Sequence, residues 1–93
     1  MPRESRVDAI RAALTAAFAP SELDVVDDSH RHIGHAGAAQ GHGHFSVRIV
    51  SAAFAGMTPV ARHRAVYAAL GDLMRTDIHA LSIRASAPEP TVD

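Results

Sequence analysis

The segment Phe45-Ser46-Val47-Arg48-Ile49-Val50-Ser51 alternates apolar and polar side chains and predicts the central strand of the fold. The apolar residues at positions 45, 47 and 49 share one face, and the polar residues between them fall on the other. Successive side chains of a strand point to opposite faces. We therefore expect one face of this strand to contact a hydrophobic core.

Upstream of this strand, the sequence predicts a helix and then a second strand. Apolar residues recur at steps of three and four between Glu4 and Phe18, which is typical of a helix with one buried stripe. Pro20 ends this pattern. Residues 23–27 then alternate, with Leu23 and Val25 on one face, and predict a half-exposed edge strand.

Downstream, the sequence predicts a second helix that begins after a connector over residues 54–59. Thr58-Pro59 is typical of an N-cap followed by proline at the first helical position. The helix is predicted to extend to about Met74. Its apolar stripe is predicted to contain Val60, Val66, Tyr67, Leu70, Leu73 and Met74, with His63 in register.

The last element is predicted to be a strand over residues 78–85, with Leu81 and Ile83 on its buried face and His79 sharing their parity. The predicted order is therefore helix, strand, strand, helix, strand. A strand-helix-strand crossover requires the last two strands to be parallel, whereas the first two can pair antiparallel. We predict an α+β domain with two helices on one face of a three-stranded mixed sheet.

Between the first two predicted strands lies a segment rich in histidine and glycine. Residues 29–45 contain five of the seven histidines and four of the six glycines in the chain. Glycine disfavours long regular elements, and imidazole is the commonest metal ligand in proteins. We predict that residues 29–44 form an exposed loop with a functional role.

Composition restricts the functions that this chain can have. Residues 1–93 are expected to form a single domain with frayed ends at 1–3 and 88–93. The net charge is −1, and all nine basic residues are arginine. The absence of cysteine excludes thiol catalysis and a cysteine-based metal site made by this chain alone. So small a domain has little room for a buried catalytic cleft, so we expect a binding or adaptor protein and not an enzyme.

No apolar run approaches the roughly 20 residues of a membrane span, and the amino terminus does not have the pattern of a signal peptide. A cytoplasmic location without membrane contact is therefore expected. The isolated chain is expected to be a monomer.

Short motifs along essentially the whole chain resemble the BolA family in their order and spacing. These motifs are Asp28-Ser29, His44-Phe45, Val50-Ser51, Phe54-Ala55-Gly56, Arg62-His63-Arg64 and Ile78-His79-Ala80-Leu81. The resemblance implies a class II KH-like fold, which agrees with the predicted order of elements. It also implies a monothiol glutaredoxin as partner in iron-sulfur cluster handling.

The resemblance further implies which residues bind the cluster. The histidine that opens the last strand, here His79, is implied to be a ligand of a bridging 2Fe-2S cluster. The second ligand is implied to come from the loop, where His32 aligns best and His35 is the neighbouring candidate. Other members carry a loop cysteine that this chain does not have, so its ligands are expected to be nitrogen atoms. The partner's cysteine and a bound glutathione are implied to supply the thiolates, and the isolated chain is expected to hold no cluster.

Two other functions stay open. Some bacterial BolA-like proteins are described as stress-linked transcriptional regulators, and the candidate nucleic-acid contacts here are Arg48, Arg62 and Arg64. A net acidic chain predicts weak, salt-sensitive binding, and the Gly-X-X-Gly spacing of KH domains occurs only at 34–37, between predicted strands. A histidine-only zinc or nickel buffer is the third alternative.

Each histidine also has a structural interpretation. His79 can be a hydrogen-bonded core residue, and His44 can hold the ends of the loop together. His30, His42 and His63 are expected to be solvated or to lie on a helix surface. Gly43 stands where BolA-like proteins more often have serine or threonine, and it is expected to make the exit of the loop more flexible.

Overall fold

The computed structural model of the chain describes residues 3–28 and 43–89. The elements within these ranges are α1 (Arg3–Phe18), β1 (Glu22–Asp27), β2 (Gly43–Val50), a 3-10 turn (Ala52–Phe54), α2 (Pro59–Leu70), α3 (Leu73–Thr76) and β3 (Ile78–Ser86). The predicted order of helices and strands is confirmed, with the short helix α3 in addition.

The three strands form one mixed sheet in the order β1-β2-β3. β2 pairs antiparallel with β1 and parallel with β3, as the sequence predicts. Helix α1 contacts β1 and α2, and α2 contacts β3, so both long helices cover the same face of the sheet. The parallel pairing follows from the α2 crossover, because a short turn cannot join parallel strands.

The core lies between the sheet and these two helices. Its buried residues are Ile10, Leu14, Phe45, Val47, Ile49, Phe54, Val66, Leu70 and Ile78. The predicted alternation of β2 is confirmed, because its apolar residues from Phe45 to Ile49 are buried and Arg48 is exposed. Leu23 and Val25 of β1 pack against the same core, again as predicted.

Helix α2 begins as predicted and ends earlier than predicted. Thr58 Oγ1 accepts a hydrogen bond from the Ala61 N–H at 3.1 Å, and Pro59 occupies the first turn. The predicted extension to Met74 is wrong, because Gly71 follows Leu70 with φ 53° and ψ −125° and the chain restarts as α3.

The predicted apolar stripe of α2 is also partly wrong. Val60 and Tyr67 are exposed, with 60% and 41% of their surface accessible. Val66 and Leu70 are buried, and the small residues Ala65 and Ala69 pack beside them against the core. The buried stripe is therefore narrow, and residues on its flanks face outward.

The start of β3 differs from the predicted alternation. Gly43 pairs with Ile78, whereas His44 pairs with Ala80, so His79 is the extra residue of a β-bulge. Ile78 is consequently buried and His79 is exposed. The interpretation of His79 as a core residue is therefore wrong.

Two further residues occupy the core against expectation. Phe54, predicted to belong to a connector, is fully buried, and its ring centroid lies 4.8 Å from that of Phe18. Gly43, predicted to make the loop exit flexible, is the buried first residue of β2. A Cβ atom at Gly43 would overlap the ring of Phe45. The predicted loop boundary at His44 is therefore displaced, since β2 begins at residue 43.

Arginines from the two long helices contact both edge strands. Arg11 Nη1 donates a hydrogen bond to the Leu23 carbonyl of β1 at 3.2 Å. Arg62 Nη1 donates to the Ala85 carbonyl of β3 at 3.2 Å. Occupied edge carbonyls are less available to strands of other chains.

Candidate functional site

One corner of the sheet brings together the end of β1, the start of β2 and the start of β3. The Asp28 N–H donates to the His44 carbonyl at 2.7 Å, and the Gly43 N–H donates to the Asp77 carbonyl at 3.1 Å. These two backbone hydrogen bonds hold the three chain segments side by side. We call the corner formed by Asp28, His44 and His79 the histidine corner.

Two imidazoles meet at the histidine corner. The ring centroids of His44 and His79 are 5.0 Å apart, with their planes inclined by 47°. His44 is half-buried on β2, and His79 is exposed at the bulge of β3. The bulge therefore places an accessible imidazole beside one that is held by the strand.

The surroundings of the histidine corner are polar. Ser46 Oγ donates a hydrogen bond to the Asp28 carboxylate, and Arg6 Nε lies 3.9 Å from Asp77 Oδ1. An open cavity of about 260 Å³ lies beside the two strands. Its lining residues are Asp28, His44, Phe45, Ser46, Ala80, Leu81 and Ser82.

The two predicted loop ligands, His32 and His35, lie outside the described residues. The residues on either side of the segment that carries them, Asp28 and Gly43, are held by the backbone hydrogen bonds described above. The last described residue before this segment is Asp28, and the first after it is Gly43, which pairs with Ile78, the neighbour of His79. The histidine-rich segment therefore begins and ends at the histidine corner.

The described residues do not by themselves form a metal site. Within residues 3–28 and 43–89, no group of three or more His, Asp or Glu side chains is placed to hold a metal ion. The exposed imidazole, with a second imidazole beside it, can supply a nitrogen ligand to a site that other residues complete. The remaining ligands would come from residues 29–42 or from a partner.

The structure does not bring the three candidate nucleic-acid contacts together. Arg62 Nε donates to the Met57 carbonyl at 3.1 Å, and its Nη1 donates to Ala85, so this side chain connects α2 to the fold. Arg64 is exposed on α2. Arg48 lies on the opposite face of the sheet.

Arg48 is neutralised by two carboxylates of β1. Its guanidinium is 3.2 Å from Glu22 Oε1 and 3.2 Å from Asp24 Oδ2. The pKa of Arg48 is raised above its usual value, first by the hydrogen bond to Glu22 and the charge of that carboxylate, and then by Asp24. Both ion pairs are solvent-exposed, so each stabilises the fold only slightly.

His44 is the residue whose role the sequence does not reveal. Its alternation with Phe45 predicts that it lies on the face away from the core, next to Ser46. Its contact with His79 depends on the register between β2 and β3 and on the bulge, and neither is visible in a single sequence. The sequence indicates only that one histidine lies near the start of each of these two strands.

A helix-strand-strand-helix-strand chain with a parallel crossover and an imidazole pair at one corner belongs to the small α+β domains of the class II KH-like type. Comparison with known protein families then gives the identification. The chain belongs to the BolA-like protein family, whose pattern matches residues 14–90.

Several curated proteins are similar to this chain. An uncharacterized protein in the cobS 5' region of Sinorhizobium sp is 46% identical over 90 residues, covering 94% of this chain and 97% of that protein. Protein BOLA1, chloroplastic, of Arabidopsis thaliana is 42% identical over 88 residues, covering 91% of this chain and 55% of that protein. The DNA-binding transcriptional regulator BolA of Escherichia coli (strain K12) is 42% identical over 74 residues, covering 80% of this chain and 68% of that protein.

Solved structures agree with the fold. The BolA domain of SufE1 from Arabidopsis thaliana superposes with a TM-score of 0.80 at 45% identity, covering 90% of this chain and 93% of that chain. No helix among the described residues is long and apolar enough to cross a membrane. One relative is named as chloroplastic, so the cytoplasmic location stays a prediction, as does the monomeric state.

Proposed function

We propose that this chain is a non-enzymatic BolA-like adaptor that binds a monothiol glutaredoxin and shares the ligation of a bridging 2Fe-2S cluster with it. Its role would lie in iron-sulfur cluster trafficking or in iron and redox regulation. The observation that carries the proposal is the exposed imidazole of His79, which lies beside His44 where residues 29–42 begin and end.

The chemistry of the available ligands supports a shared site. The chain contains no cysteine, so it can offer no thiolate. A 2Fe-2S cluster with two imidazoles on one iron and two thiolates on the other has a higher reduction potential than one with four thiolates. The thiolates would come from a cysteine of the glutaredoxin and from glutathione.

The ligands that this chain would contribute are His79 and one loop histidine. His79 is held between Ile78 and Ala80, which both pair with β2, and its exposure allows a partner to approach. His32 is the first candidate for the second ligand and His35 the alternative. His44 packs against His79 and would restrict the orientation of its ring.

The test is to co-express the chain with the monothiol glutaredoxin of its host and to record visible absorption and circular dichroism spectra of the purified complex. We expect a coloured one-to-one complex, whereas the isolated chain is expected to be colourless. His79→Ala should change the spectrum of the complex. His63→Ala is the matched control, since His63 is an exposed imidazole on α2, and it should leave the spectrum unchanged.

The loop ligand is tested with the same complex. His32→Ala is expected to weaken ligation, with His35 substituting in part, and the double variant His32→Ala/His35→Ala should resemble His79→Ala. An unaltered spectrum in both His79→Ala and the double variant would show that the assigned residues do not bind the cluster.

The second candidate function is regulation of transcription through DNA binding. One relative is named as a DNA-binding transcriptional regulator, and Arg64 of this chain is exposed on α2. Because Arg62 is hydrogen-bonded within the fold, we expect weak, sequence-tolerant binding that falls steeply with salt. Fluorescence anisotropy with a labelled duplex at two salt concentrations tests this. Nanomolar sequence-specific binding at physiological salt would favour regulation over the adaptor role.

A further inference from the structure

The sheet face opposite α1 and α2 is covered by no described element. Its side chains form rows across the three strands, because the strand registers bring alternate residues into line. The two central rows are Asp24, Arg48 and Arg84, and Val26, Ser46 and Ser82. We call this surface the open face.

Three cavities lie end to end along the open face. The first, beside the histidine corner, shares Ser46 and Ser82 with the second, which has a volume of about 260 Å³. The second shares Arg48 with the third, of about 340 Å³, at the far end of β2. Together they form a trough about 20 Å long, at roughly 3.3 Å per residue between positions 44 and 50.

The charges in the middle of the trough are unequally neutralised. Arg48 and Arg84 lie directly opposite each other on β2 and β3. The guanidinium of Arg48 is bound by Glu22 and Asp24 on the β1 side. Among residues 3–28 and 43–89, no ion pair or hydrogen bond involves the side chain of Arg84, which lines the middle cavity. Because Glu22 and Asp24 already neutralise Arg48, Arg84 is the guanidinium of this pair that is available to an anionic group.

We propose that the open face binds an extended segment of a partner protein in which one Asp or Glu, flanked by uncharged residues, binds Arg84 through its carboxylate in the middle cavity. The trough runs along the strands and suits an extended chain of about six residues. Two serine side chains lie in its floor: the Ser82 hydroxyl can donate or accept a hydrogen bond, and Ser46, which donates to Asp28, can accept one. The half-exposed side chain of Val26 offers an apolar contact at its rim.

A single carboxylate suits this surface better than a nucleic acid does. Glu22, Asp24 and Glu89 line the same trough and would repel the successive phosphates of a polyanion. The strand residues of the open face, all of which are described, include no Phe, Tyr or Trp, and the imidazoles of His44 and His79 lie together at one end of the trough, so no row of rings follows it for successive bases to stack on. A peptide with one negative charge at its centre and uncharged residues on either side therefore complements the charges of the trough.

The test uses the isolated chain, labelled with nitrogen-15, and two blocked heptapeptides that alternate serine and valine around a central residue. That residue is glutamate in one peptide and glutamine in the other. We expect the glutamate peptide to shift the amide resonances of residues 44–48 and 80–86, and the glutamine peptide to bind at least about ten-fold more weakly. Arg84→Gln should weaken binding of the glutamate peptide about ten-fold, and Arg84→Lys should restore part of it.

Arg64→Gln is the matched control, because Arg64 is an exposed arginine on α2, away from the open face. It should leave binding of the glutamate peptide unchanged. Equal binding of the two peptides, shifts confined to the helical face, or no shifts at millimolar peptide would overturn the proposal. So would an oligouridine that shifts the same amides where the glutamate peptide does not. No cluster or glutaredoxin is present, so the outcome does not depend on the proposed adaptor function.

Discussion

At the scale of single residues, Ser51 connects three elements. Only 1% of its surface is exposed. Its Oγ donates a hydrogen bond to the Phe18 carbonyl at 2.6 Å and accepts one from the Ala53 N–H at 3.1 Å. Ser51→Ala leaves both groups without this partner, so we expect a loss of about 1 to 3 kcal/mol in the free energy of unfolding. Urea denaturation measures it, with the exposed Ser82→Ala as control. Equal stability of the two variants would show that the Ser51 hydrogen bonds contribute nothing.

Gly43 is a second residue whose identity the packing requires. A Cβ atom there would overlap the Phe45 ring, so Gly43→Ala should destabilise the fold by about 1 to 3 kcal/mol. The cost should be smaller when Phe45 is already replaced by leucine, which a double-mutant cycle detects. A cost that is the same in both backgrounds would exclude the ring as its cause.

At the scale of elements, two helix ends have left-handed backbone conformations. Gly71 ends α2 at φ 53°, and no atom nearer than 3.9 Å would meet its Cβ. Gly71→Ala should therefore cost about 1 to 3 kcal/mol through backbone strain alone.

Ala19, which follows α1, has a φ of 43°, a backbone conformation that a residue with a Cβ atom rarely adopts. Ala19→Gly should stabilise the fold by up to about 1 kcal/mol. Thermal denaturation compares both variants with the parent chain, and shifts of the same sign would contradict this account.

The elements show how far the sequence alone predicts the structure. Alternation predicts β1 and β2 because one face of each strand packs against the core and the other is more exposed. It failed at His79, because a bulge inverts the alternation and depends on the register with β2. Phe54 was missed because a single 3-10 turn has no periodicity, and its burial is set by contact with Phe18.

The candidate site was predictable only in part, because its geometry also depends on how β2 pairs with β3. The resemblance singled out His79, and the structure places it exposed at the end of the sheet. The neighbouring ring of His44 emerges only from the pairing of β2 with β3. The grouping of Arg48 with Arg62 and Arg64 does not hold, because sequence proximity says nothing about the two faces of a sheet.

At the scale of the whole molecule, proposed histidine ligation makes the complex sensitive to acid. An imidazole must be deprotonated to bind metal, so protons compete with the cluster for His79 and the loop histidine. We expect the visible spectrum of the complex to change as pH falls below neutrality, and to change at higher pH in His32→Ala. A spectrum unaltered from about pH 8 to about pH 4 would contradict ligation by histidine.

The most direct measurement of the central claim is pulsed electron paramagnetic resonance of the reduced complex, with only the histidines of this chain labelled with nitrogen-15. The label reports nitrogen atoms bound to the cluster irrespective of its colour. We predict strong couplings from two directly bound nitrogen-15 nuclei, of which one disappears in His79→Ala while both persist in His63→Ala. A reduced complex with no nitrogen-15 coupling, or one whose couplings survive His79→Ala unchanged, would contradict the assignment of this chain as a histidine-donating adaptor.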